Sequence, residues 1–418
     1  MNTPTPQRRQ LPRLEFIALM AALMALNALA IDIMLPALPD IGKTFGNTNV
    51  NDSQLIISFY LIGSGVAQLV FGPLLDRFGR RGPLMFCFAL YILTSLAAAI
   101  VSSFSGLLLI RLIQGLGTAG FRVASLAIVR DKFEGRAMAE IMSLVFMVFM
   151  LIPIIAPGIG QLILFAVTWQ FIFVFVALVG VISWGWAYIR LPETLDAKNR
   201  RPLTMDSIFG GFKIVLSNRF SMTYSLAGMF IFGGLMGMIN SSQQIFVGIF
   251  GLGPLFPIAF AGVALLMSIA SFLNSRMVGR FGMRRMAHFA LIIFTLSSSI
   301  LLVLSLVTKV SLPTFYILIG IVFFMFSWTA SNMNSLAMNP LGKVAGTAAS
   351  TFGFLQTLGG ALIGMWIGQM FDGTLTPLAL GFTVCGIVAL TLVFFVEGGK
   401  LFNSSDPVVS NETASASK

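Results

Sequence analysis

Residues 14–38 read LEFIALMAALMALNALAIDIMLPAL, a stretch of 25 residues in which only Glu15 and Asp32 can carry a charge. A bilayer core of about 30 Å needs roughly 20 apolar residues in a helix, so this stretch is long enough to cross one. No small-residue cleavage site follows it, and it reads as a retained span, not a signal peptide. Eleven similar runs follow, at about 53–74, 83–102, 105–129, 138–164, 166–190, 221–248, 253–275, 286–308, 312–335, 345–371 and 374–396. The 418 residues are 57% hydrophobic and 10% charged, with a mean hydropathy of +0.93. A soluble domain is about a quarter charged. One water-soluble core cannot hide this much apolar surface, so the expected fold is an all-α integral membrane protein with twelve transmembrane helices.

Composition removes several chemistries. The two cysteines, Cys87 and Cys385, lie in apolar runs, which excludes a disulfide framework, a cysteine zinc cluster and an iron–sulfur site. A single histidine, His288, leaves little room for a metal centre, and none is expected. Forty Phe against five Tyr suit packed or lipid-facing helices, which take Phe without a partner for a hydroxyl. The net charge of +11 has a topological origin. With the N-terminus in the cytoplasm, 22 of the 26 Lys and Arg fall on the cytoplasmic side. Lys43 and Lys309 fall opposite, and Arg111 and Arg122 lie within a span. Both termini are therefore expected in the cytoplasm, and no nucleic-acid partner is expected.

The longest hydrophilic stretch between spans divides the chain into two sets of six. The expected organisation is an N-terminal six-helix bundle over 1–190, a cytoplasmic central loop over 191–220, a C-terminal six-helix bundle over 221–400 and a disordered cytoplasmic tail over 401–418. Arg77-Phe78-Gly79 after the second span recurs as Arg280-Phe281-Gly282 after the eighth, 203 residues on. The two bundles thus read as pseudo-symmetric copies. Carriers built from such repeats hold their site near the midplane and alternate its access.

Asp32, Arg111 and Arg122 are the charges expected within hydrocarbon depth. A central Asp or Arg costs about 2.5–3.5 kcal/mol, so such groups are usually paired and functional. Asp32 and Arg111 each lie about six residues from the outer end of their spans, about 9 Å deep at 1.5 Å per residue. A pair is feasible, either as a structural tie or as a proton site. Burial disfavours a charged carboxyl and a nearby guanidinium favours it, so such a carboxyl can change protonation as its exposure alternates. Arg122 follows Arg111 by eleven residues, only about 20° past three full turns. It is expected to snorkel to the interface or pair with Glu140. The alternative is a cationic wall that selects neutral or anionic cargo. Glu15 and Glu140 sit at span ends and need no special role.

The loop after the second span reads Gly72-Pro73-Leu74-Leu75-Asp76-Arg77-Phe78-Gly79-Arg80-Arg81. It resembles the signature G-x-L-x-D-R-x-G-R-[RK] of the major facilitator superfamily at every defined position. The resemblance implies a cytoplasmic gating loop of Gly72, Asp76, Arg77, Gly79, Arg80 and Arg81. Gly279 stands where the second copy would carry the acid, so this latch charge is one-sided. Arg111-Leu112-Ile113-Gln114-Gly115-Leu116-Gly117-Thr118-Ala119 is similar to the family's R-x-x-Q-G-x-G-x-A motif, whose Arg is implicated in proton transfer. Pro153, Ala156, Pro157 and Gly160 resemble the antiporter motif of the fifth span, with Ala156 and Gln161 in place of two glycines. That P-x-x-A-P-x-x-G form resembles the bicyclomycin- and chloramphenicol-resistance (Bcr/CflA) exporters. So do Asp32 to Pro39, Leu191-Pro192-Glu193-Thr194-Leu195 and Gly346-Thr347-Ala348-Ala349-Ser350.

The resemblance implies a major facilitator fold in a bacterial plasma (inner) membrane and a monomeric drug:proton antiporter. Its partners would be a small-molecule substrate and membrane lipid, with protons as coupling ion and no cofactor. Some relatives carry a second acid two turns before Asp32. Met24 holds that position here, so Asp32 would act alone. Asn27, Met24, Arg122, Asn240, Gln244, Asn332, Asn334 and Gln356 are possible cavity residues, and interhelical hydrogen bonding is the competing use of the amides. Met and Phe would supply an adaptable apolar wall. The stripe Gly360, Gly364 and Gly368 reads as a helix-packing surface. The competing function is proton-linked transport of one metabolite, such as a sugar or amino acid. An enzyme finds no support: the chain has no nucleophile elbow and no phosphate-binding Gly-rich loop ending in Lys-Ser/Thr, which also argues against ATP-driven transport.

Overall fold

The computed structural model describes residues 11–133, 135–196, 198, 200 and 205–402. Twelve of its helical stretches are long and apolar enough to cross a membrane: Arg13–Thr44, Val50–Phe78, Arg81–Ile100, Phe104–Lys132, Glu140–Ala166, Gln170–Arg190, Arg219–Ile249, Gly253–Phe281, Met283–Val307, Leu312–Gly342, Gly346–Gln369 and Thr376–Val396. No strand occurs among the described residues. Residues such as Ile100, Ile189 and Val307 are at least three-quarters exposed. Large apolar side chains in that state need lipid around them.

Several of these helices begin or end where local chemistry requires. Ser103 accepts the Gly106 N–H at 3.2 Å at the head of the fourth span, and Ser311 takes the same role for Thr314 in the tenth. The first span is helical over Arg13–Asp32 and resumes as a short 3-10 turn at Leu35. Pro36 has no N–H to give the Asp32 carbonyl, so the regular helix stops there. The fifth span is two helices, Gly135–Met150 and Ile152–Ala166, with Pro153 in the first turn of the second. The seventh and eleventh spans each contain a wide π-turn, at Gln244–Ile249 and Leu355–Gly359. Part of the stretch read as the central loop is helical, over Met205–Ser217. Of the segment read as a tail, residues 403–418 lie outside the described residues.

The chain divides into two compact units. One comprises Met1–Ile208 and Ile239–Ala264, the other Phe209–Met238 and Leu265–Lys418. Each carries one copy of the repeated tripeptide. Gly79 ends the second span with φ +88°, and Gly282 follows the eighth with φ +81°. Both turns need the left-handed region that only glycine enters freely.

In the first unit, glycines set the helix spacing. A Cβ on Gly63 would strike the Leu112 carbonyl, and one on Gly115 the Tyr60 carbonyl. The second and fourth spans therefore touch backbone to backbone. In the second unit the glycine stripe serves the same end. A Cβ on Gly364 would meet Met236, and one on Gly360 would meet Phe232, which sets the eleventh span against the seventh.

Candidate functional site

Asp32 is the last residue of the first helix and is 4% exposed. Three features bring the other motifs to it. The Gly63–Gly115 contact presses the fourth span on the second. Gly160 packs on the Ile33 carbonyl and on Pro36, so the fifth-span motif touches the first span one residue past Asp32. Ala156 and Pro157 are buried in the same helix. The Pro36 break then leaves Asp32 at the rim of a helix end.

Arg111 is fully buried. Its Nη2 donates to the Ala30 carbonyl at 3.0 Å, its Nε to the Ile56 carbonyl at 3.2 Å and its Nη1 to Gln114 Oε1 at 2.6 Å. The guanidinium also lies 4.3 Å from the centre of the Tyr60 ring. Gln114 donates to Ser95 Oγ at 2.7 Å, and Ser95 donates to the Tyr91 carbonyl. Tyr60 donates to Asn27 Oδ1 at 2.7 Å. Arg111 thus holds the first span two residues from Asp32, yet no ion pair joins the two among the described residues. Its hydrogen bonds go to neutral acceptors, and Asp32 has no side-chain partner among the described residues.

The expected Arg122–Glu140 pair is not formed. Glu140 binds Arg13 at 2.6 Å instead, because the head of the first span reaches it. Glu15 pairs with Arg190 and accepts from Trp186, tying the first span to the sixth. Arg122 is half-buried and has no partner among the described residues.

The remaining amides sort by unit. Gln244, at the start of its π-turn, donates to Asn51 Oδ1 at 2.9 Å and the Val50 carbonyl at 3.1 Å, and accepts from Gln54. Asn240 donates to Ser58 Oγ at 3.3 Å. Both groups are engaged within the first unit. In the second, Asn332 donates to Asn274 Oδ1 at 2.7 Å and to the Trp328 carbonyl; it ties the tenth span to the eighth. Asn334 is exposed and Gln356 half-buried beside Gly228. Met24 is buried at 2% exposure.

The stretch read as a gating loop over 72–81 is helical through Phe78 and again from Arg81, and its turn at Gly79 and Arg80 is a charged knot. Arg80 binds Asp131 with Nε at 2.8 Å and Nη2 at 3.2 Å, and Asp76 with Nη1 at 2.7 Å. Burial alone would pull the Arg80 guanidinium down, but its bonds to Asp131 and Asp76 outweigh that and hold it above its ordinary value. The Glu193 carboxylate accepts the backbone N–H groups of Arg80 at 2.8 Å and Arg81 at 3.1 Å. It caps the third span at the positive end of its dipole. Thr194 donates to Asp131 at 3.0 Å. Arg81 binds the Tyr188 carbonyl at 2.7 Å, and Arg77 is exposed. Asp131 gave no signal in the sequence, because an acid among cations at a span end looks solvated.

A second cluster gave no signal either. At the matching end of the second unit, Tyr224 donates to Glu397 Oε1 at 2.7 Å, and Arg284 Nε lies 3.1 Å from the same oxygen. His288 Nδ1 accepts the Phe402 N–H at 3.0 Å, and its Nε2 lies 2.9 Å from the Tyr224 hydroxyl. A ring accepting at Nδ1 carries its proton at Nε2. Phe402 takes φ +67° to make this contact.

A family model described as Major Facilitator Superfamily matches residues 20–364. The chain is 29% identical over 393 residues to a "Bicyclomycin resistance protein homolog" of Haemophilus influenzae, covering 92% of this chain and 97% of that one. It is 29% identical over 403 residues to "Multidrug resistance protein MdtL" of Escherichia coli O157:H7, covering 95% and 98%. Among solved structures, that of the human organic anion transporter MFSD10 (TETRAN) superposes with a TM-score of 0.71 at 19% identity, over 93% of this chain and all of that one; that likeness speaks to the fold. With twelve spans and a family model covering most of its length, the chain belongs to the major facilitator superfamily.

Proposed function

We infer that this chain is a proton-coupled exporter of small amphiphilic compounds. It works by alternating access in a bacterial inner membrane, with both termini in the cytoplasm, as a monomer that needs no cofactor and catalyses no reaction. The names of its relatives support drug efflux, and the distribution of Lys and Arg supports the orientation.

The observation that carries the reading is the state of Asp32. A carboxyl buried in a span with no counter-ion is held by no ion pair in one protonation state, and its proton follows the solvent that reaches it. From the fourth span, Arg111 holds the Ala30 carbonyl two residues before Asp32, and its hydrogen bonds go to neutral acceptors. Its positive charge is available to an ionised Asp32 after a side-chain shift. In this scheme a proton from outside settles on Asp32 and favours the state open to the cytoplasm. Cargo binding there promotes proton release inward. Each entering charge contributes about 2.3 kcal/mol per 100 mV, plus the pH gradient.

Reconstituted vesicles test the assignment. Asp32→Asn abolishes uphill export driven by a pH gradient while leaving downhill exchange of the same compound. Uphill export by the variant at the wild-type rate removes Asp32 from the coupling.

A further inference from the structure

Among the Asp, Glu, Lys and Arg of the described residues, Asp32, Arg111 and Arg122 alone lie about two helical turns or more from both ends of a span. All three are in the first unit. Among the described residues, the spans of the second unit contribute no such charge. The deep charge among the described residues is therefore one acid against two bases. It is net positive with Asp32 ionised and more so with Asp32 protonated.

The two bases differ. Arg111 spends its donors on two carbonyls, Gln114 and the Tyr60 face. Arg122 lies on the same face of the fourth span, three turns nearer the end that carries Asp131. Its side chain is half-buried, and no acceptor among the described residues reaches it. The acid expected to neutralise it is engaged by Arg13. An intramembrane guanidinium without a partner is unfavourable, and an anionic group that binds it recovers that cost.

We propose that Arg122 is the anion-binding residue of this carrier, and that its cargo is neutral or monoanionic amphiphiles to the exclusion of lipophilic cations. The inference rests on the export reading above. Recognition would run from the guanidinium to an ionised acidic group on the cargo, such as a carboxylate. A cation about 8 Å from either deep arginine, at an effective dielectric constant of about 20, binds roughly thirty-fold more weakly for that repulsion alone. The energetics follow from the same charge count. With one proton entering per cycle, leaving cargo that is monoanionic carries two positive charge equivalents inward in total. Neutral cargo carries one, and monocationic cargo none. Membrane potential therefore drives the anion hardest.

The test is export from proteoliposomes under a pH gradient and a valinomycin-set potential, with three probes: nalidixate as a monoanion, chloramphenicol as an uncharged compound and tetraphenylphosphonium as a cation. The wild type moves nalidixate at least tenfold more efficiently than tetraphenylphosphonium, and its nalidixate flux rises more steeply with potential than its chloramphenicol flux. Arg122→Gln raises the nalidixate KM about tenfold relative to that for chloramphenicol, and an unfolding temperature in detergent equal to that of the wild type shows that the variant is folded. Arg122→Lys recovers most of the nalidixate affinity. Equal handling of the anion and the cation by the wild type, or an unchanged nalidixate-to-chloramphenicol ratio in Arg122→Gln, overturns the proposal while Asp32-dependent chloramphenicol export keeps the parent reading. Failure to move any of the three overturns both.

Discussion

The turn at Gly79 and the turn at Gly282 occupy the same place in the two halves, and they are held in different ways. At the first, Arg80 sits between Asp76 and Asp131, and Glu193 caps the backbone of the next helix. Adding the 203-residue offset puts Gly279, Met283 and Asn334 where Asp76, Arg80 and Asp131 stand. The charged triad has no counterpart. The acid after the sixth span does have one, within a residue, in Glu397 after the twelfth. It turns to the Arg284 guanidinium and the Tyr224 hydroxyl, not to backbone N–H groups. An acid closing the corner is thus common to both halves and belongs to the architecture. The Asp76–Arg80–Asp131 triad belongs to one half only.

The sharpest way to break this comparison is to remove the two closing acids. Glu397→Ala removes the carboxylate from Arg284, 8% exposed at its side chain, and breaking a buried pair by taking away one partner typically costs about 3–5 kcal/mol. Glu193→Ala removes a helix-dipole partner at a corner with other ties, a loss of about 1 kcal/mol. Thermal unfolding in detergent should rank Glu397→Ala well below Glu193→Ala. The reverse order would mean that the second corner does not depend on its acid. Next in size is the triad. Asp131→Asn copies the second half's Asn334 into the first and removes one of the two carboxylates on Arg80, at about 2 kcal/mol. It should lower transport at least fivefold, while Asn334→Asp leaves transport within twofold. Equal effects of the two would deny the triad its one-sided role.

What the sequence disclosed follows from the range of the forces. Span positions depend on the summed hydropathy of about 20 consecutive residues, a local quantity, and Leu14 to Leu38 shows it without any tertiary information. Gly79 was legible because its turn demands a backbone that only glycine adopts freely. The burial of Arg111 was legible from its place in an apolar run, but its partners were not. The carbonyls of Ala30 and Ile56 exist at every residue and leave no mark in a sequence. Arg13, and not Arg122, binds Glu140 for a related reason: helical spacing shows which residues share one helix face, not which neighbouring helix end comes nearest. Asn332 read equally well as cavity or as interhelical tie, and its bond to Asn274 makes it a tie. The His288–Tyr224–Glu397 chain joins three spans distant in sequence, and each residue taken singly looks unremarkable.

The finest distinction lies in the two glycines themselves. Both hold φ above +80° with an extended ψ, so alanine at either position takes on the strain of a region essentially reserved for glycine, about 1–3 kcal/mol. Beyond that strain the two sites differ. A Cβ at Gly282 meets nothing within 4 Å, whereas one at Gly79 runs into the Glu193 carboxylate. The carboxylate can yield only by loosening its bonds to the Arg80 and Arg81 N–H groups, which adds about 1 kcal/mol for the weakened cap. Gly79→Ala should therefore unfold at a lower temperature than Gly282→Ala. In the background of Glu193→Ala, where no carboxylate remains to be displaced, the gap between the two alanine variants should close. A gap that survives the loss of Glu193 would place the extra cost in the backbone of the turn and not in the acid that caps it.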